Sequence, residues 1–180
     1  MTRITQFNPE LAARLASTHA LLLASHLVVH DSVECVILHG SRGLADHPRQ
    51  DSDIDLSLVV NGEDLARSPN KDELLRTVLK ITQDHWQGSI ECDLATVFDK
   101  KDCGLKCLAR QSFDRTLCPD TIDCMGLFKI THGFNGFVAG RQIDCEKMYP
   151  LIVIWKRTGM GPTIADTLRF CRGGENAGAA

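Results

Sequence analysis

The sequence has no large excess of charge of either sign. Lysine and arginine number 20 and aspartate and glutamate 23 among 180 residues, which leaves a net charge of −3 at pH 7. Proteins that bind nucleic acid nonspecifically carry a basic patch or stripe, because phosphate contacts supply most of that affinity. The basic residues here are scattered, so the composition argues against nucleic acid as a partner.

Long hydrophobic runs are also lacking. The longest apolar cluster of the first predicted helix covers residues 20–24, far fewer than the ~20 residues that a membrane-spanning helix needs. The first ten residues, MTRITQFNPE, have no apolar core after their arginine and do not resemble a signal peptide. We therefore expect a cytoplasmic protein with no membrane partner.

Closely spaced cysteine pairs are missing, although the chain contains eight cysteines. No CxxC motif occurs, and the nearest pair is Cys103 and Cys107. Tetrahedral zinc sites usually show tighter ligand pairs, so this spacing argues against structural zinc. In the cytoplasm the thiols are expected to be reduced, and Cys35 and Cys92 lie in apolar runs typical of core strands.

Hydrophobic periodicity predicts alternating helices and strands in a globular chain. Apolar residues make up 43% of the sequence and charged residues 24%, which is typical of folded domains. The patterns predict helices over 8–30 and 71–86 and strands over 33–38, 54–60 and 90–98. Weaker patterns predict a helix over 102–112 and strands over 123–131 and 151–155, the last alternatively a buried helix end.

Three aspartates lie in or beside strand-like runs. Asp53 and Asp55 open the run DIDLSLVV, and Asp93 lies in the later run SIECDLATVF. Residues two apart in a strand project to the same side, so Asp53 and Asp55 share one face. A divalent cation removes the repulsion between ionised carboxylates, and three of them can hold two ions. We therefore predict a Mg²⁺ or Mn²⁺ site, with Glu91 as the alternative third ligand because it shares the face of Asp93.

A glycine-serine pair lies at the end of the preceding apolar run, VILHGSRG. Gly40 permits positive φ and a close approach of the backbone. Backbone N–H groups and the Ser41 hydroxyl can cradle phosphate oxygens, and Arg42 is placed to reach a triphosphate. The alternative is a solvated acidic turn, but Asp55 lies within the apolar alternation, where an unpaired carboxylate is costly.

The segments HGSRG and DSDIDLSLV resemble the DNA polymerase β-type nucleotidyltransferase superfamily, most closely its minimal nucleotidyltransferase branch. The resemblance covers about residues 33–98. It implies an α+β fold in which helices pack mainly on one face of a mixed β-sheet. It also implies that the glycine-serine pair binds the nucleotide phosphates and that the three aspartates bind metal. Asp93 would further act as, or assist, the base toward an acceptor hydroxyl.

The resemblance and the motifs together predict a metal-dependent nucleotidyltransferase. It would transfer a nucleoside monophosphate from a nucleoside triphosphate to a hydroxyl acceptor, a small molecule or a protein, with release of pyrophosphate. Two alternatives are an antitoxin-like partner of a HEPN-type toxin and a module that senses nucleoside triphosphates without turnover. We expect a catalytic core over 1–98, an extension of the same domain or a small α/β appendage over 99–172, and a flexible tail over 173–180.

Overall fold

The structure, a computed structural model, describes residues 1–44, 48–49, 51–100, 125–143 and 151–158. The predicted helix over 102–112 and the predicted tail over 173–180 lie outside these residues. The strands within the described ranges are β1 (Thr2–Arg3), β2 (Val28–Val29), β3 (Val33–His39), β4 (Ile54–Val60), β5 (Cys92–Asp99), β6 (Met125–Lys129), β7 (Gly136–Phe137) and β8 (Ile152–Lys156).

The described helices are short apart from the last one. They are α1 (Pro9–Arg14), α2 (Ala16–Ala24), α3 (Ser41–Leu44), α4 (Gly62–Arg67) and α5 (Lys71–His85), and a 3₁₀ turn covers Gly140–Gln142. None of these helices has both the length and the apolar character needed to cross a membrane.

Six strands form one mixed sheet in the order β7-β6-β5-β4-β3-β8. Strands β4 and β5 run parallel, whereas each of the other neighbouring pairs is antiparallel. Parallel neighbours need a crossover connection, and here α4 and α5 supply it. The expected α+β fold with a mixed sheet is therefore confirmed.

Helices α1, α2, α4 and α5 contribute residues to a core on one face of this sheet. Residues of α5 at helical spacing, Leu75, Val78 and Leu79, are fully buried there. They join a core with alternate residues of the central strands and with residues of α1, α2 and α4, including Leu11, Leu22, Val36, Leu38, Leu56, Leu58, Leu65 and Leu94. The opposite side chains of β4 and β5 are thereby left to form the site described below.

Helix α5 begins where its sequence predicts. The Asn70 side chain accepts a hydrogen bond from the backbone N–H of Glu73, and Asp72 and Glu73 lie in the first turn. An N-cap of this kind satisfies an otherwise unpaired N–H group, and acidic residues at this end favour the helix dipole. The prediction of a helix over 71–86 and that of a strand over 54–60 are confirmed to within one residue.

The prediction of one continuous helix over 8–30 is wrong. The helix is interrupted at Leu15, whose φ of −136° is not helical, and it ends at Ala24. The chain then turns and enters β2, which pairs antiparallel with β1. Pairing with the first residues of the chain is a long-range interaction, so helical periodicity alone did not reveal it.

Candidate functional site

Three polar side chains lie in a row across the sheet, where β3 ends and β4 and β5 begin. His39 of β3 is the antiparallel partner of Asp55 in β4, and Asp55 is the parallel partner of Asp93 in β5. Directly paired residues project to the same face of a sheet. The register therefore brings the second aspartate of the DxD motif beside the third aspartate of the sequence.

This row forms one side of a small cavity with a volume of about 140 Å³. Its polar lining residues are His39, Asp55, Ser57, Asp93 and Lys129. His39 Nε2 and Ser57 Oγ lie 2.7 Å apart in a buried hydrogen bond. The cavity thus offers carboxylates on two strands and a lysine on a third.

Gly40 packs against the carboxylate of Asp55. Its φ is +67°, and a Cβ atom built on it would overlap Asp55 Oδ2. The chain then continues into α3, where Ser41 is exposed. The glycine-serine pair therefore lies beside the DxD motif, and only a residue without a side chain fits at the contact.

Arg42 is buried, and its side chain binds backbone oxygens of the protein. The prediction was that this side chain reaches a triphosphate. Only 6% of the residue is exposed. Its Nε donates to the backbone oxygens of Ser52, at 2.9 Å, and Asp53, at 3.0 Å. Its Nη2 donates to Ser52 O at 2.6 Å. In this arrangement Arg42 positions the segment that carries Asp53, and the sequence offered no signal for these backbone contacts.

Arg49 is the arginine of the same loop that extends into solvent. Its side chain is 83% exposed, and its Nε lies 3.4 Å from Oδ1 of the similarly exposed Asp51. An exposed pair at this distance contributes little to stability. Arg49 is therefore free to change rotamer at small cost, which Arg42 is not.

The electrostatic environment of Asp55 disfavours its ionised form. Burial, together with the neighbouring carboxylates of Asp53 and Asp93, raises the pKa of Asp55 to about 6. Lys129 and His132 act on this pKa in the opposite direction but do not cancel the effect. Additional positive charge at this position would thus be stabilising.

Asp93 is bound on both of its oxygens. Oδ2 accepts from Lys129 Nζ at 2.5 Å, and Oδ1 accepts from Thr131 Oγ1 at 2.9 Å. His132 Nε2 lies 3.5 Å from the same Oδ1. Lys129 was not among the predicted site residues, although it lies within the strand predicted over 123–131.

Glu91, the alternative third ligand, lies outside the cavity. It precedes β5, its side chain is 71% exposed, and its Oε1 is 3.8 Å from His132 Nε2. Asp93, in contrast, is 14% exposed and lines the cavity beside Asp55. The register therefore favours Asp93 over Glu91 as the carboxylate that acts with the DxD motif.

The donor chemistry suits a divalent cation at Asp53 and Asp55. Both supply the carboxylate oxygens that Mg²⁺ and Mn²⁺ prefer. The pKa of Asp55 is raised by its burial and by the neighbouring carboxylates of Asp53 and Asp93. Asp93 already has a cation, the Lys129 ammonium. Within the described residues, no group of three histidine, cysteine or acidic side chains is arranged to hold a metal ion.

Comparison with known proteins gives no relative: no protein-family model, curated protein or solved structure matches the chain. The function proposed below is therefore supported by this chain's own residues.

Proposed function

We propose that the chain is a cytoplasmic, metal-dependent nucleotidyltransferase. It transfers a nucleoside monophosphate from a nucleoside triphosphate to a hydroxyl acceptor and releases pyrophosphate. The observation that carries the proposal is the contact of Gly40 with the Asp55 carboxylate. This contact joins a candidate phosphate-binding turn to a pair of candidate metal ligands. The register that sets Asp93 beside Asp55 gives further support.

The charges of the site explain why a metal ion belongs to the proposal. A triphosphate brought beside Asp53, Asp55 and Asp93 would be repelled by three carboxylates. Mg²⁺ is commonly held by one or two carboxylates together with substrate phosphates, and Asp53 and Asp55 fit that role. When bound, the ion offsets the charge of the triphosphate and of the departing pyrophosphate.

The chain's own residues have separate roles in the proposed reaction. Gly40 lets the turn lie directly against the Asp55 carboxylate, and the exposed Ser41 hydroxyl donates to a phosphate oxygen. The acceptor oxygen forms a bond to the α-phosphorus while the bond from that phosphorus to pyrophosphate breaks. Asp93 accepts a hydrogen bond from the acceptor hydroxyl, and the proton leaves through this carboxylate to solvent.

The second candidate is a module that binds a nucleoside triphosphate without turnover. The hydrogen bonds of Asp93 favour it, because both of its oxygens already accept from side chains of the protein, Lys129 and Thr131. Such a module would keep the contacts of Gly40, Asp53 and Asp55. The antitoxin-like role beside a HEPN-type toxin stays a prediction, compatible with either activity.

The test is transfer of label from each α-³²P nucleoside triphosphate, with Mg²⁺ or Mn²⁺ and cell extract as the source of acceptor. We expect transfer by the natural sequence, none by Asp53→Ala/Asp55→Ala, and unchanged transfer by Asp84→Ala, an exposed carboxylate on α5. Equilibrium dialysis of the same nucleotides separates the alternatives. Metal-dependent binding without transfer would establish the sensing module, and neither binding nor transfer would overturn both candidates.

A further inference from the structure

The ammonium of Lys129 lies 2.5 Å from Asp93 Oδ2. We propose that the site holds one divalent ion, at Asp53 and Asp55, and that Lys129 takes the place of a second ion at Asp93. This inference rests on the proposed function and specifies how its metal site is built.

The hydrogen bonds of Asp93 are the first observation. Lys129 and Thr131 each take one oxygen, at 2.5 Å and 2.9 Å, and His132 lies 3.5 Å from the second. A carboxylate binds a metal through the same oxygen lone pairs. A metal ion bound to Asp93 would lie beside the Lys129 ammonium, and the repulsion between the two positive charges would displace the lysine.

Burial makes that displacement costly. The side chains of Lys129 and Asp93 are only 16% and 14% exposed. Water and salt weaken such a pair far less than a surface pair. An ammonium separated from its carboxylate here would lose its partner without gaining full hydration, and it would remain close to the incoming cation.

The position of Lys129 is set by β6 itself. The preceding residue, Phe128, is fully buried and pairs with Thr96 of β5. The ammonium also lies 5.8 Å from the centre of the Phe134 ring, within range of a cation–π interaction. Strand pairing and the aromatic ring thus hold the Lys129 ammonium beside the Asp93 carboxylate.

The charges balance with a single metal ion. One divalent ion and one ammonium together neutralise the three carboxylates of Asp53, Asp55 and Asp93. In the absence of nucleotide, a second divalent ion would leave an excess of positive charge in a partly buried cavity, where uncompensated charge is unfavourable.

The experiment counts Mn²⁺ bound to the full chain, with free Mn²⁺ measured by electron paramagnetic resonance in the absence of nucleotide. We expect one ion for the natural sequence and two for Lys129→Met, which uncovers Asp93. Lys129→Arg, which keeps the charge, should bind one. The matched control is Lys80→Met, since Lys80 forms an exposed pair with Asp84, and it should also bind one ion.

Circular dichroism shows whether Lys129→Met folds. If it does not, Asp93→Asn provides a second test of the inference. Because Asp93 is not a ligand in this proposal, Asp93→Asn should still bind one ion. Two ions in the natural sequence, one ion in folded Lys129→Met, or loss of the ion in folded Asp93→Asn would each overturn the inference and leave the proposed function standing. No ion in the natural sequence at any Mn²⁺ concentration would also overturn the inference. The proposed function would then be decided by the transfer of label, because substrate phosphates can complete the ligands of the ion.

Discussion

Gly40 and the carboxylate of Asp55 are in direct contact, so closely that a Cβ atom on Gly40 would overlap Oδ2. The contact links the end of β3 to the start of β4, which are antiparallel neighbours. It also ties the conformation of the glycine-serine turn to the position of a candidate metal ligand. A substitution in the turn should therefore change the position of the Asp55 carboxylate, and a substitution of Asp55 should change the conformation of the turn.

Gly40→Ala should lower the free energy of unfolding and weaken Mn²⁺ binding together. The positive φ of +67° costs an alanine about 1–2 kcal/mol. The new methyl group also displaces the Asp55 carboxylate. Urea unfolding and Mn²⁺ titration of the same preparation measure the two effects.

Gly133→Ala is the matched control for Gly40→Ala. Gly133 also has a positive φ, +83°, but its Cβ would meet nothing within 4 Å. We expect a similar cost of about 1–2 kcal/mol from the backbone alone and unchanged Mn²⁺ binding. Equal weakening of Mn²⁺ binding in both variants would show that the contact with Asp55 has no special role.

Arg42→Met should destabilise the fold, whereas Arg49→Met should not. The buried Arg42 guanidinium satisfies the backbone oxygens of Ser52 and Asp53, and unpaired buried groups cost about 1–3 kcal/mol each. Thermal unfolding of both variants provides the comparison. A stable Arg42→Met protein that has lost only nucleotide affinity would instead support the phosphate contact predicted from the sequence.

Asp55→Asn should stabilise the metal-free protein at pH 8 and have little effect at pH 4. The pKa of Asp55 is raised from 3.8 to about 6, so the folded state holds this proton more tightly than the unfolded state. Its contribution to stability is therefore greatest below the unfolded value and is lost as the pH rises through about 4 to 6. Asparagine does not ionise, so the Asp55→Asn variant keeps the free energy of unfolding that the natural sequence loses above pH 6. The difference is on the order of 1 kcal/mol after allowance for solvent screening.

The measurement for Asp55→Asn is the melting temperature of both proteins in EDTA across this pH range. The difference between them should grow from pH 4 to pH 8. Mn²⁺ at pH 8 should reverse it, because the cation stabilises the ionised carboxylate of the natural sequence alone. A difference independent of pH would contradict the assignment of the raised pKa to Asp55.

Ser57→Ala should cost about 1–2 kcal/mol of stability, since it removes one partner of a buried hydrogen bond. The bond joins Ser57 Oγ to His39 Nε2 at 2.7 Å, and both residues are at least nine-tenths buried. Ser68→Ala is the control, because the Ser68 hydroxyl bond to Asn70 is exposed. Urea midpoints that fall equally in the two variants would refute the prediction.

Elements with a strong local pattern were predictable from the sequence. Strand β4 and helix α5 agree with their predicted ranges to within one residue. The apolar period of a strand and the apolar period and N-cap of a helix are both patterns of neighbouring residues, so the sequence alone shows them. Weaker patterns predicted the strands over 123–131 and 151–155, which correspond to β6 and β8, and the two-residue strand β7 was not predicted. The predicted helix over 8–30 failed where pairing of β2 with β1 overrode the helical pattern.

By itself the sequence determined that the DxD motif opens a strand, since Asp55 lies in β4 and Asp53 immediately before it. A shared face for the two carboxylates stays a prediction from the alternation of side chains along a strand. The sequence also determined that a glycine ends the strand before them. Only the tertiary structure decided which groups contact the three aspartates. Gly40 contacts the Asp55 carboxylate, Arg42 donates to the backbone oxygen of Asp53, and Lys129 forms an ion pair with Asp93. These contacts depend on the register between strands that are distant in the chain, and one-residue slips of register reverse every side chain. No local pattern carries that information.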